Sequence, residues 1–318
     1  MRPGLYFDGP IPVRKYGGTE RVIVWLARGL REHGHEPVIL AREGTVLPGY
    51  RVHELPPSAI RRMATETDFS LDPWLPGELD LIHFHSPVVG HSDVPHLTTI
   101  HGNGEPGSFD GSHVFVSRSH MRRMRGQHFV YNGIDPADYD FRESKEEYLL
   151  FLGLASRRVK GVDRAVRIAK QAGQRLRVAG GWRPSLDRRI RWMGMVDDQR
   201  KRDLLAGGRA LLNPIRWEEP FGLVVVEALV SGTPVLATPL GAMPELVTQE
   251  VGALCSNDLE FTEAVARIGS WEAGACRQRV LDHFTHVEMA ASYLDLYDLA
   301  IAGGMSGSGD GPDTRSEL

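Results

Sequence analysis

The sequence predicts an α/β protein built from two doubly wound, Rossmann-like domains in tandem. Three observations carry this. The chain has 318 residues, enough for two ordinary cores. Short apolar runs bounded by turn residues alternate with helical patterns along most of its length. The alternation lapses once, in the acidic, turn-rich stretch DPADYDFRESKEE at 135–147, and then resumes.

In the first series, GLYFD and EPVILA flank GTERVIVWLARGLREHGH. There Val22, Trp25, Leu26, Gly29 and Leu30 fall at helical spacing and Gly34 supplies the stop, which makes a β-α-β unit. Further strands are expected at YRVHEL, LDLIHFH, HLTTIH, HVFVS and HFVYN, mostly apolar, as strands buried in a parallel sheet read. A domain boundary is placed between 141 and 142. The second series, 142–282, runs through strand YLLFLGL, helix GVDRAVRIAKQAG, LRVAGG, IRWMGMV, helix DQRKRDLLAGG, ALLNPI, PVLATPLG, helix AMPELVTQ and VGALCS. A final helix covers 283–302, and the Gly/Ser-rich remainder, 303–318, reads as an unstructured tail. In such sheets ligands sit at the carboxyl ends of the strands, so the residues just after each strand are the ones to search.

Composition narrows the classes of function. A net charge of −4 shows no basic excess of the kind nucleic acid selects. Two cysteines, Cys255 and Cys276, make no disulfide framework and fit a reducing compartment. The start of the chain carries no apolar signal region, and no run has the length of a membrane span, so a cytoplasmic protein is expected.

The most informative stretch is EEPFGLVVVEALVSGTPVLATP, Glu218 to Pro239. Its valines suit a strand by propensity. Pro220 and Gly222 followed by EALVSG argue instead for a loop rising into a helix at Phe221 to Leu223 and stopped by Gly232. Leu223 and Glu227 then share one helix face, with Glu219 in the loop just before it. A helix start attracts phosphate, and two carboxylates beside it can accept hydrogen bonds from hydroxyls flanking that phosphate. A nucleotide-sugar presents hydroxyls on both sides.

Glu219-Pro-Phe-Gly-Leu-Val-Val-Val-Glu227 and the residues after it resemble the E-x7-E region of retaining glycosyltransferases of the GT-B architecture, the family-four type. The resemblance runs from about Lys15 to Thr248 and is strongest from Asn213 to Val247. It implies two facing Rossmann-like domains, with the final helix expected to pack back on the first. It implies that Glu219 contacts the donor sugar and Glu227 the ribose, with the N–H groups of Phe221, Gly222 and Leu223 near the sugar and phosphates. Gly17 and Gly18 in KYGGTE resemble the loop that approaches the diphosphate, and His101 in TTIHG the active-site histidine. In FLGLASRRVKGVDRAV, Lys160 matches a lysine that meets the diphosphate. The arginine that family carries after the strand glycine is Leu154 here, so Arg157 or Arg158 is left to supply that charge. Gly181 and Met195 lie in segments resembling a glycine loop at the cleft and the region that receives the base.

The activity implied is transfer of a sugar from a nucleoside-diphosphate sugar, UDP-linked before GDP-linked, to an acceptor hydroxyl with retention, by a front-face mechanism with no metal and no further cofactor. A small-molecule acceptor, such as a secondary metabolite or oligosaccharide, is expected. Two rival readings stand beside it, a nucleotide-sugar epimerase of the same architecture and a non-catalytic nucleotide-sugar binder. Other signals are discounted. His83 and His85 share a strand face but lack a third metal ligand. Asp138-Tyr139-Asp140 forms a D-x-D outside any strand end, and no G-x-G-x-x-G follows the first strand. The cluster Arg118, Arg122, Arg123 and Arg125 is a candidate contact for a membrane surface or anionic acceptor, with a solvated helix face as its ordinary explanation.

Overall fold

The strands of the first series line up in one sheet in the computed structural model, which describes residues 1–11 and 17–305. They are β1 (Pro3–Phe7), β2 (Val38–Arg42), β3 (Arg51–Leu55), β4 (Leu81–Phe84), β5 (His96–Ile100), β6 (His113–Phe115) and β7 (His128–Phe129). Their order is β3-β2-β1-β4-β5-β6-β7, with every pairing parallel. The helices between them are α1 (Thr19–Glu32), α2 (Pro57–Thr65) and α3 (Arg118–Met124). Parallel strands covered by helices leave no polar face, and Leu5, Ile39, Leu40, Leu81, Ile82, Leu97 and Val114 are accordingly inaccessible to solvent.

The second series repeats the plan. Its strands are β8 (Leu149–Leu152), β9 (Leu176–Ala179), β10 (Ile190–Gly194), β11 (Ala210–Asn213), β12 (Val235–Ala237) and β13 (Gly252–Leu254), in the order β10-β9-β8-β11-β12-β13 and again all parallel. The helices are α4 (Val162–Gln171), α5 (Asp198–Gly207), α6 (Leu223–Val230), α7 (Met243–Leu246), α8 (Asp258–Ala266), α9 (Ala273–His283) and α10 (His286–Ile301). In both sheets the order reverses direction beside the first strand of the series, at β1/β4 and at β8/β11. Each reversal opens a crevice at the carboxyl ends of the strands, where doubly wound sheets hold ligands.

The chain divides into two compact units, Met1–Tyr131 with the chain from Met289 on, and Asn132–Glu288. The second unit therefore starts ten residues before the expected boundary at 142. The stretch that reads as a linker bonds inside that unit: Ile134 N donates to Phe284 O, His286 N donates to Ile134 O, and the Tyr139 hydroxyl donates to Glu227. The final helix begins at His286 rather than 283, because Thr285 is held in a bridge to Ile134. Within the first unit α10 contributes Tyr293 and Tyr297, both fully buried, whose hydroxyls bond Thr99 Oγ1 at 2.7 Å and His83 Nδ1 at 2.8 Å. No described helix is long and apolar enough to cross a membrane. Lys15, the start of the expected glycine loop, and the tail beyond Met305 lie outside the described residues.

Candidate active site

In the first unit the crevice forms after β1 and β4. Asp8 follows β1 and its carboxylate accepts a hydrogen bond from Ser86 Oγ, two residues past β4, at 2.9 Å. A cleft of about 680 Å³ opens here, lined by Asp8, Glu20, His85, Ser86, His101 and Asn103 among others. The first turn of α1, Thr19 and Glu20, lines this cleft, and Gly18 caps the helix just before it. A Cβ on Gly17 would stand 2.2 Å from Glu20 Oε2, so the first-turn carboxylate lies over this glycine. An anion arriving at that helix start has to displace Glu20.

His101 follows β5 and stacks on His85, with ring centroids 5.3 Å apart at 26° and Nε2 3.1 Å from His85 Nδ1. Burial, together with the charge of His120, pushes the His101 imidazole down to about 4. Burial also lowers His85 and His83 well below the ordinary histidine value, each with a neighbouring imidazole adding to the effect. His83 and His85 are thus packed, neutral groups, with no third ligand grouped around them among the described residues.

In the second unit the crevice lies between β8 and β11. Lys160 ends a single 3-10 turn, Arg158–Lys160, and is followed by Gly161 at φ +74°. A Cβ there would stand 2.1 Å from Pro214 O, so only glycine lets the lysine turn close on the chain leaving β11. Arg216 N donating to Val159 O at 2.8 Å fastens the same two segments. The Lys160 ammonium meets both Glu219 oxygens, at 2.9 and 2.7 Å, and lies 5.0 Å from the centre of the Trp217 ring. Trp217 Nε1 donates to Glu219 Oε2 at 2.7 Å. Two residues read separately from the sequence, Lys160 and Glu219, are one ion pair.

The loop before α6 is fixed from behind. Gly241, at φ +59°, packs so closely that a Cβ would come within 2.2 Å of Glu219 O and 2.4 Å of Glu219 N. Ala242 N donates to Glu219 O at 3.0 Å. The helix itself begins at Leu223 with Gly222 as its cap and ends before Gly232, within two residues of the sequence reading. Phe221 is buried beneath it. Glu227, one turn in, is 5 % exposed and its Oε1 takes hydrogen bonds from the Tyr139 hydroxyl at 2.8 Å and Lys201 Nζ at 2.5 Å. Neither partner was legible: Lys201 reads as one cation among several on a polar helix, and Tyr139 as part of a linker.

Arg157 and Arg158 both sit on the exposed lysine turn. A third cation, Arg183, reaches the same place from the loop after β9, its guanidinium donating to Ala155 O at 3.3 Å. Gly181 forms a bridge with Gly194, which brings the loops after β9 and β10 together, and Met195 beside it is 57 % exposed. The second unit thus gathers Lys160, Glu219, the arginine rim and the α6 start around the ends of β8 and β11. His101, Gly17 and Gly18 belong to the first unit. Of the basic run, Arg118, Arg122 and Arg123 lie on α3, capped by the Ser117 side chain, and Arg125 closes it as a left-handed C-cap.

Residues 146–270 match the family described as Glycosyl transferases group 1, and residues 16–135 match Glycosyltransferase Family 4. A phosphatidyl-myo-inositol mannosyltransferase of Propionibacterium freudenreichii subsp. shermanii is 23% identical over 79% of this chain and 81% of its own length. One of Mycolicibacterium smegmatis is 24% identical over 86% and 85%. A 41.2 kDa protein of the cps region in Klebsiella pneumoniae is 30% identical, but over only 33% of this chain and 31% of its own. Among solved structures, AviGT4, a glycosyltransferase involved in avilamycin A biosynthesis, superposes with a TM-score of 0.74 at 25% identity, covering 95% of this chain and 98% of that one. Sucrose-phosphate synthase from Thermosynechococcus elongatus shares the fold, with a TM-score of 0.70 at 18% identity over 95% and 99%.

Proposed function

We propose that this chain, a glycosyltransferase of the GT-B type, transfers a hexose from a nucleoside-diphosphate sugar to an acceptor hydroxyl with retention of configuration and without a metal. The observation that carries the reading is the Lys160–Glu219 pair beside the start of α6. An ammonium offers three N–H groups, and Glu219 occupies two of them. The third is left for an anionic oxygen, while the Glu219 oxygens keep lone pairs for sugar hydroxyls. One pair thereby holds both halves of a sugar-phosphate bond.

In the reaction the acceptor oxygen forms a bond to the anomeric carbon while the bond from that carbon to the diphosphate oxygen breaks. The acceptor proton passes to the departing phosphate oxygen on the same face, so no side-chain base is needed. Lys160 and the arginines of the rim, Arg157 and Arg158, counter the charge that develops on the diphosphate. Glu219 holds the sugar, and Glu227, fixed by Lys201 and Tyr139, is set to receive the ribose. His101 orients the sugar. The donor is proposed to be UDP-linked, with GDP as the second candidate. The acceptor is proposed to be a small polyhydroxylated molecule; the acceptor step of the inositol-lipid mannosyltransferases named above is the comparison to test against it.

The test is a thermal-shift panel of UDP, GDP, ADP and dTDP on the full chain. A ligand at about one hundred times its Kd adds roughly 2.7 kcal/mol. A shift with UDP or GDP, followed by release of that nucleotide from its sugar when acceptor is added, supports the reading. No shift with any of the four refutes it.

A further inference from the structure

We propose that His85 sets the tautomer of His101, so that His101 presents a protonated Nδ1 to the cleft and acts there as a hydrogen-bond donor. The functional consequence rests on the reading above. The tautomer is a property of the first unit alone.

One proton lies in the 3.1 Å contact between His85 Nδ1 and His101 Nε2, and it belongs to one ring or the other. Suppose His101 donated it. His85 would then carry its own proton on Nε2, which is buried with no hydrogen-bond partner. A buried N–H without an acceptor is rarer in folded proteins than a buried acceptor without a donor. If His85 donates instead, its Nε2 is a bare lone pair and no donor is orphaned. His101 then holds its proton on Nδ1, a nitrogen no described residue bonds, on a ring that lines the cleft.

His83 cannot change this outcome. Its ring lies 3.9 Å from that of His85 at 31°, but both its nitrogens are engaged, Nδ1 with the Tyr297 hydroxyl and Nε2 with Thr99 Oγ1 at 2.6 Å. The fold enforces the stack. Residues two apart on a strand project to one face, so β4 and its extension carry His83 and His85 together. The parallel register of β4 with β5, Phe84 beside Thr98, brings the end of β5 and hence His101 alongside. His83 is thereby a fixed platform, His85 a positioning residue, and His101 the group that faces the cleft. A His101 with Nε2 filled and Nδ1 protonated has no free lone pair, so it can hold a hydroxyl but cannot take its proton.

Long-range proton–nitrogen correlation of the full chain, labelled in histidine and assigned with His101→Gln, reads the tautomer directly at neutral pH. We expect His101 to be protonated at Nδ1. In His85→Leu it should shift to the Nε2-protonated form that a free imidazole prefers, while His85→Asn, which keeps a donor near the Nδ1 position, should retain the original signal. Turnover should fall about ten- to a hundredfold in His85→Leu with the donor KM little changed, the usual scale for a residue that orients a functional imidazole, and His85→Asn should recover most of it. Nε2-protonated His101 in the unmodified chain overturns the proposal, as does an unaltered His101 signal in His85→Leu. If the unmodified chain binds no nucleotide and transfers no sugar, the functional reading fails while the tautomer measurement still decides this one.

Discussion

Lys160 and Glu219 form a two-pronged ion pair, 2.9 and 2.7 Å from ammonium to each carboxylate oxygen, with side chains only 19% and 14% exposed. Each therefore holds the other in place. Lys160→Ala and Glu219→Ala should each lower kcat by about 10²- to 10³-fold, the scale for losing one electrostatic contact to the reacting group. The double variant should lose far less than the product of the two, since contacting residues couple. Turnover of the three variants, alongside their melting temperatures, measures this; additive losses would mean that the pair does not act as one group.

Glu227 is a different case, because its partners serve the folded state. Lys201→Met takes the ammonium, 2.5 Å away, from a carboxylate that is only 5 % exposed. Removing one partner of a buried pair costs about 3–5 kcal/mol. Urea unfolding should show a loss near that size, and Glu227→Gln in the Lys201→Met background should restore part of it by removing the buried charge.

Gly161 and Gly173 share a left-handed backbone, φ +74° and +68°, in very different surroundings. A Cβ on Gly173 meets nothing within 4 Å, whereas on Gly161 it runs into Pro214 O. Gly173→Ala should cost about 1–2 kcal/mol, the backbone penalty alone. Gly161→Ala should cost more and should also displace Lys160, so activity should fall beyond what the stability loss explains. Equal effects in urea midpoint and turnover would contradict the close packing.

The buried histidines make stability depend on pH with a definite sign. His101 and His120 are both lowered to about 4, chiefly by burial, against about 6.5 in the unfolded chain. Between those values the unfolded state binds protons that the folded state refuses, so stability is full above about 6.5 and falls as the pH drops toward 4. Unfolding near pH 5 should be accompanied by uptake of close to two protons by these two rings, read from the slope of the urea midpoint against pH; a flat profile would place these rings in water.

Much of this was legible in the sequence because each element carries its own signal. Twelve strands longer than two residues and helices α1, α4, α5 and α6 follow apolar runs and glycine stops that local physics makes distinct. Helix α6 is instructive: its three valines favour a strand, and the Gly232 stop decided the matter. Helices α2, α8 and α9 were missed, their patterns being short or interrupted, as Pro56-Pro57 and the paired tryptophan-glutamate at 271–272 show. The candidate residues could be named singly from the sequence, but not their pairing. Lys160 with Glu219, Glu227 with Tyr139 and Lys201, and His85 with His101 join residues 16 to 88 positions apart. Only the sheet order that sets strand ends side by side discloses such pairs.

The place of α10 carries a consequence for how the molecule is made. Its tyrosines bond Thr99 and His83 in the first unit, yet they are translated only after the whole of the second unit. Domains ordinarily fold in the order of synthesis. Here the first 131 residues must wait through the translation of the whole second unit before His83 Nδ1 and Thr99 Oγ1 gain their tyrosine partners. A nascent chain stalled before residue 293 should accordingly display an N-terminal unit that is protease-sensitive around His83, and extending the chain past residue 305 should close it.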